Sequence, residues 1–213
     1  MKLKIGKAFE DGYNVLINNP VLFFIGFVYA VIIKLLEPQM PHMMTNYRMV
    51  MDYFTYGGIN LIAIVLLGGF LNGMIIVLSA KGKKFSVGSA LNLVASRFIV
   101  IVLASIIAVA IISLGLVVLI IPGIFLAIRL LFYDQAILLN NQDVVESLKM
   151  SWNVTKGNWW RIFALVILIA LVTLIISLPI SIFNKILADF VASTFVVPWA
   201  VATYTKAYLQ LKR

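Results

Sequence analysis

The sequence predicts an all-α integral membrane protein: six transmembrane helices as three hairpins, each preceded by a short cytoplasmic amphipathic interfacial helix. Three observations carry this. Apolar residues make up 63% of the chain, charged residues only 12%, and the mean hydropathy is +1.07, against about 45–50% and about 25% in an ordinary globular domain. The apolar residues fall into runs long enough to cross a hydrocarbon core of about 30 Å, which needs roughly 20 residues of helix. The lysines and arginines cluster between alternate runs.

The runs in chain order define the spans. Residues 21–36 are short and end at Lys34, whose ammonium can reach the interface along its apolar stem. Residues 59–80 form the second span. Residues 98–139 are too long for one crossing and are expected to divide at Pro122-Gly123, since proline suits a first helical turn and glycine permits a sharp reversal. That gives spans 98–121 and 122–139. Residues 160–180 and 191–208 complete the six, the last with a kink expected at Pro198. The first run follows Glu10 and Asp11 and has no small-x-small cleavage site after it, so it reads as a retained span and not as a signal peptide.

Charge sets the orientation. With the N-terminus inside, one face collects thirteen cations: Lys2, Lys4, Lys7, Lys81, Lys83, Lys84, Arg97, Lys149, Lys156, Arg161, Lys206, Lys212 and Arg213. The other face holds three, Lys34, Arg48 and Lys185, and Arg129 falls within a span. The positive-inside rule then places both termini in the cytoplasm of a multi-pass cell-membrane protein. The net charge of +9 points to anionic lipid, not nucleic acid, as the partner.

An internal repeat precedes the odd-numbered spans. Residues 8–15 (AFEDGYNV), 86–93 (SVGSALNL) and 147–154 (SLKMSWNV) share small, large apolar, two variable, small, large apolar, Asn, then Val or Leu. Ala8, Ser86 and Ser147 correspond, as do Gly12, Ala90 and Ser151, then Tyr13, Leu91 and Trp152, then Asn14, Asn92 and Asn153. Ile5, Ala8, Phe9, Gly12, Tyr13 and Leu16 follow the spacing of one apolar helical face, as in helices that lie in a membrane interface. Helix breaks are expected at the equivalent Asn18, Ser96 and Gly157. The chain is thus one membrane domain, 1–213, with pseudo-repeats at about 5–80, 83–140 and 143–213.

Two stretches, PGIFLAIRLLFYDQAILLN at 122–140 and SLKMSWNVTKGNWWRIF at 147–163, resemble a widespread prokaryotic six-span membrane family. That family is related to the membrane domain attached to some glycerophosphodiester phosphodiesterases. The resemblance rests on Pro122-Gly123, Arg129, Ser147-Leu148, Ser151-Trp152 and Lys156-Gly157-Asn158. It implies a fold and no activity, because the phosphodiesterase reaction of the fused members belongs to a soluble barrel that this sequence does not contain.

Chemistry is sparse. With no cysteine, disulfides, iron–sulfur clusters and thiolate nucleophiles are excluded, and the single His42 cannot form a two-histidine metal site. The loop QMPHMM at 39–44, with Met49 and Met51, has soft ligands for Cu(I) or Ag(I), but Met and the aromatics Tyr47, Tyr53, Phe54 and Tyr56 suit the outer interface equally, so no metal or other cofactor is expected. No HExxH, GxSxG or phosphate-binding glycine loop occurs, and the expectation is a non-enzymatic protein.

The candidate site residues are Arg129 and Asp134 within the fourth span, and Lys156, Asn158, Trp159, Trp160 and Arg161 at its cytoplasmic neighbour. Charges inside a span are costly and mark function by default. On one continuous helix Arg129 and Asp134 stand about 140° apart; they are not expected to pair. Arg129 is expected to find carbonyls on another helix, with Tyr133 on its own face, and Asp134 to reach Arg161 or a lysine. Either the pair lines a cavity for an anion, headgroup or proton, or it clamps two hairpins together. The Lys156–Arg161 segment reads as an aromatic-belt anchor or a phospholipid headgroup site. Gly69 and Gly73 form a GxxxG suited to close helix packing. The first functional reading is a lipid-interacting, membrane-organising or accessory protein, with lipids, other membrane proteins or its own copies as partners. The second is a transporter or channel with a cavity lined by Arg129.

Overall fold

All regular structure in the described part of the chain is helical. A computed structural model describes residues 2–36, 47–82 and 85–212, with side chains described outside 47–57 and 61. His42, the 39–44 loop and the side chains of Tyr47, Arg48, Met49, Met51, Tyr53, Phe54 and Tyr56 lie outside the described residues. The helices are α1 (Ile5–Asn18), α2 (Pro20–Leu36), α3 (Tyr47–Lys81), α4 (Val87–Val118), α5 (Ile120–Arg129), α6 (Tyr133–Asn140), α7 (Val144–Thr155), α8 (Trp159–Phe183), α9 (Lys185–Val191) and α10 (Val197–Lys212), with a π-helical turn at Ala192–Val196 between the last two. Among the described residues, five helical stretches are long and apolar enough to cross a membrane: Gly58–Lys81, Val87–Val118, Ile120–Asn140, Trp159–Phe183 and Lys185–Lys212. A sixth candidate is the pair α1–α2, bent by 87°.

The α1–α2 bend follows from Asn18-Asn19-Pro20. Proline disfavours a helical residue before it, and Asn19 accordingly leaves the helix at φ −132°, ψ 86°. Pro20 then starts α2, where its missing N–H costs nothing. The break expected at Asn18 falls one residue later, since Asn18 is the last residue of α1 and Asn19, with its negative φ, takes the bend; the break at Gly157 falls where expected, its φ of +77° lying in the left-handed region that glycine occupies without strain.

Two expectations are corrected. The break at Ser96 does not occur, and α4 runs unbroken from Val87 to Val118. Ser96 has neither proline nor glycine beside it, and its hydroxyl donates to the carbonyl of Leu93 within the same helix at 2.9 Å. Ser86, placed inside the repeat, instead caps α4 by accepting from the amide of Ser89 at 3.0 Å. The reversal expected at Pro122-Gly123 falls earlier, at Leu119, whose extended backbone alone joins α4 to α5. Gly123 serves close packing: a Cβ there would lie 2.3 Å from Leu116, and one on Gly115 would lie 3.0 Å from the Gly123 Cα.

The expected irregularity at Pro198 is realised as the π turn just before it. Proline cannot donate to the carbonyl four residues back, and Gly26 of α2 packs there, where a Cβ would come within 2.5 Å of the Thr194 carbonyl oxygen. Phe23–Phe195 and Phe27–Phe190 ring contacts run α2 antiparallel along this segment.

The core sits at one end of the molecule. Met74–Leu78 of α3, Ala90 and Val94 of α4, Phe132 and Ile137 around α6, and Ala207 and Tyr208 of α10 are all buried together, joined by Leu3, Ala8 and Leu16. α1 packs on α10. The Lys4 amide donates to Gln210 Oε1, Phe9 meets the Trp199 ring edge-on, and a Cβ on Gly12 would strike Thr203. The helix tips are the reverse: Val117, Ile121, Ile182 and Phe183 are each at least 80% exposed. Apolar surface left open in this way is what a chain solvated by lipid presents. Of the glycines in α3, Gly73 packs on Val94 and Leu138 and Gly68 on Tyr29, whereas Gly69 faces open space.

Candidate functional site

The structure breaks the fourth span in its middle, and this decides the surroundings of Arg129. α5 ends at Arg129 and α6 begins at Tyr133, so two backbone groups at the break need partners from elsewhere. Ser151 of α7 supplies both: its hydroxyl donates to the Arg129 carbonyl at 2.8 Å and accepts from the Phe132 amide at 3.0 Å. α7 is thereby fastened across the break.

The same fastening delivers partners to the Arg129 side chain. Its Nη1 donates to the Trp152 carbonyl at 3.2 Å and to Thr155 Oγ1 at 3.5 Å. Its guanidinium lies 5.1 Å from the Phe125 ring centroid and 4.9 Å from that of Trp152. A cation so placed gains about 0.5–2 kcal/mol per ring, more as water is excluded. Arg129 therefore finds a carbonyl on another helix, as expected. Tyr133, expected on the same helical face, lies beyond the break and shares a hydrogen bond with Ser105 of α4 at 3.1 Å.

Phe125 and Trp152 open a larger aromatic array. Phe125 stacks with Trp159, Trp159 stacks with Phe163, and Trp160 meets both Trp159 and Phe163 edge-on, with centroids 4.7–6.2 Å apart throughout. The Trp159 indole N–H donates to the Phe125 carbonyl at 3.3 Å. Trp160 is 75% exposed, and its near neighbours in sequence, Lys156 and Arg161, are exposed too.

The remaining predicted residues divide. Asn158 is buried and structural: its Oδ1 accepts from the Leu3 amide at 2.9 Å, while Arg161 donates to the Leu3 carbonyl at 2.8 Å, so the N-terminal segment is held against the start of α8. Arg161 thus meets a carbonyl and not Asp134. Asp134 has a buried Oδ1 with no hydrogen-bond partner among the described residues, and stands apart from the aromatic array. The array unites Arg129, Trp159 and Trp160, with Lys156 and Arg161 at its edge.

Sequence reasoning missed Phe125, Ser151, Thr155 and Phe163 as parts of this site and placed Trp152 only within the repeat. Phe125 was findable, four residues before Arg129 and so on the same helical face. The contribution of α7 was not, because it depends on the break between α5 and α6.

No curated protein and no solved structure matches the chain. A family model described as "Domain of unknown function (DUF7847)" matches residues 48–208, a range that takes in the Arg129 cluster and every helix from α4 to α9. With most of its length matched, the chain belongs to the DUF7847 family.

Proposed function

We propose that the protein is a six-span, non-enzymatic membrane protein with both termini cytoplasmic, whose aromatic and basic collar engages anionic lipid headgroups. The observation that carries this is the half-open array of Phe125, Trp152, Trp159, Trp160 and Phe163 with Arg129 on its rings and Lys156 and Arg161 at its edge. Indole rings partition to the headgroup level, and clustered cations attract lipid phosphate. The bent α1–α2 pair supplies the first span in this reading, with α1 in the interface.

The triplicate pattern is part of the proposal. Gly12, Ala90 and Ser151 are all buried, as are Leu16, Val94 and Thr155 one turn later, whereas Tyr13, Leu91 and Trp152 are all exposed. Matching exposure at these three sets of positions supports a common origin for the three units, and with it kinship to the six-span family that residues 122–163 resemble; Ser86 departs from the pattern, exposed as the cap of α4 where Ala8 and Ser147 are buried.

The test uses protein in nanodiscs of phosphatidylcholine with or without phosphatidylglycerol. Phosphatidylglycerol should raise the unfolding temperature of the wild-type protein, and this gain should shrink in Lys156→Gln/Trp160→Ala, both exposed positions, and fade with added salt. An unchanged gain in the double variant would refute the headgroup reading. The transporter reading makes the opposite claim for Arg129: solute flux in proteoliposomes, abolished by Arg129→Ala in a folded protein. Its clamping between two rings and the α7 backbone favours loss of stability instead.

A further inference from the structure

A second polar site lies away from the aromatic array, where α1, α3 and α10 converge. An open cavity of about 340 Å3 is lined by Asp11, Asn14, Asn18, Asn19, Gly82 and Lys206. Asp11, Asn14 and Asn18 stand at i, i+3 and i+7 of α1, so one stripe of that helix is carboxylate and carboxamide. Asn19 is only 8% exposed. Among the described residues, none of these four side chains has a hydrogen-bond partner, and Asp11 acts on Lys206 across the cavity through its charge, without an ion-pair contact. A carboxamide that lines a cavity without a protein partner is left to bond what enters the cavity.

The charges say what that partner is. Lys206 offers one cation for an anionic group. Asp11, the carboxamide oxygens and the carbonyl ends of α1 and α3 offer a negative, acceptor-rich wall suited to an ammonium with several N–H donors. An adjoining cavity of about 390 Å3 shares Asn18, Asn19 and Leu78 and continues over Pro20, Val21, Phe85 and Val87, so the polar lobe opens onto apolar surface where α2 and α4 begin. We propose that this paired cavity binds an amine-bearing phospholipid headgroup: the phosphate on Lys206, the primary ammonium between Asp11 and the asparagines, and the glycerol and acyl chains over Pro20 and Val21. The site shares no residue with the Arg129 cluster and goes beyond the collar reading, needing only that the chain lie in a membrane.

The full-length protein in detergent is titrated, by native mass spectrometry, with dioctanoyl phosphatidylethanolamine, phosphatidylcholine and phosphatidylglycerol, and with free phosphoethanolamine. In the Lys156→Gln/Trp160→Ala background, which removes the collar's contribution, phosphatidylethanolamine should bind at least about tenfold more tightly than phosphatidylcholine, which lacks N–H donors, and than phosphatidylglycerol, which lacks the cation. Lys206→Gln and Asp11→Asn should each weaken it by about tenfold or more, and Asn18→Ala, at an exposed position, provides a milder variant should either unfold. Equal affinity for all three lipids, or full binding by folded Asp11→Asn and Asn18→Ala, would overturn the proposal. Free phosphoethanolamine binding as tightly as the lipid would overturn the lipid as its source.

Discussion

Replacing Ser151 with alanine deletes one hydroxyl and strands two backbone groups. That hydroxyl donates to the Arg129 carbonyl at 2.8 Å and accepts from the Phe132 amide at 3.0 Å, and Ser151 and Phe132 are both fully buried. Each stranded group costs about 1–3 kcal/mol, so the variant should lose about 2–6 kcal/mol. Ser147→Ala is the matched control: one turn earlier on α7, equally buried, with its hydroxyl returned to the Val144 carbonyl of its own helix at 2.8 Å. That bond merely supplements an existing helix, and its loss should cost under about 1 kcal/mol. Reversible unfolding in mixed detergent micelles measures both. A Ser151→Ala loss within about 0.5 kcal/mol of the Ser147→Ala loss would refute the claim that α7 fastens the α5–α6 break.

Other substitutions probe the remaining contacts. Gly12→Leu should destabilise by about 1–3 kcal/mol or more, since its Cβ would lie 2.2 Å from Thr203 Oγ1 and 2.8 Å from the Thr203 Cα, whereas Gly6→Leu meets nothing within 4 Å and should be tolerated; thermal melts compare them. Gly73→Leu should likewise destabilise, its Cβ at 3.0 Å from Val94, while Gly69→Leu should not, which separates the two glycines of the GxxxG by the same assay. Arg129→Lys keeps the charge but loses the flat guanidinium that lies against Phe125 and Trp152, and should cost about 1–2 kcal/mol in a melt.

The features legible in the sequence are those that local covalent chemistry decides. Long apolar runs gave the membrane-length helices, Asn19-Pro20 gave the 87° bend, and Gly157 gave the turn before α8. Ser96 misled because serine is tolerated inside a helix when its hydroxyl bonds back to the preceding turn. The break after Arg129 carried no local signal: residues 124–140 contain neither proline nor glycine, and the break is held by a hydroxyl 19 residues beyond Phe132. For that reason the sequence could place Arg129 in a span but not name Trp152 and Thr155 as its partners. The cavity beside Lys206 was illegible too, since Asp11 and Lys206 come from opposite ends of the chain and meet only once α1 lies on α10.

The account stands on how the chain sits in the bilayer, and the absence of native cysteines makes this directly measurable with single-cysteine variants and a membrane-impermeant maleimide. Lys2→Cys and Lys212→Cys should both react from the cytoplasmic face alone, and Ile120→Cys, at the exposed tip joining α4 and α5, only from the opposite face. Labelling of the two ends from different faces, or of Ile120→Cys from the cytoplasmic face, would contradict the six-span arrangement and the lipid-facing collar built on it.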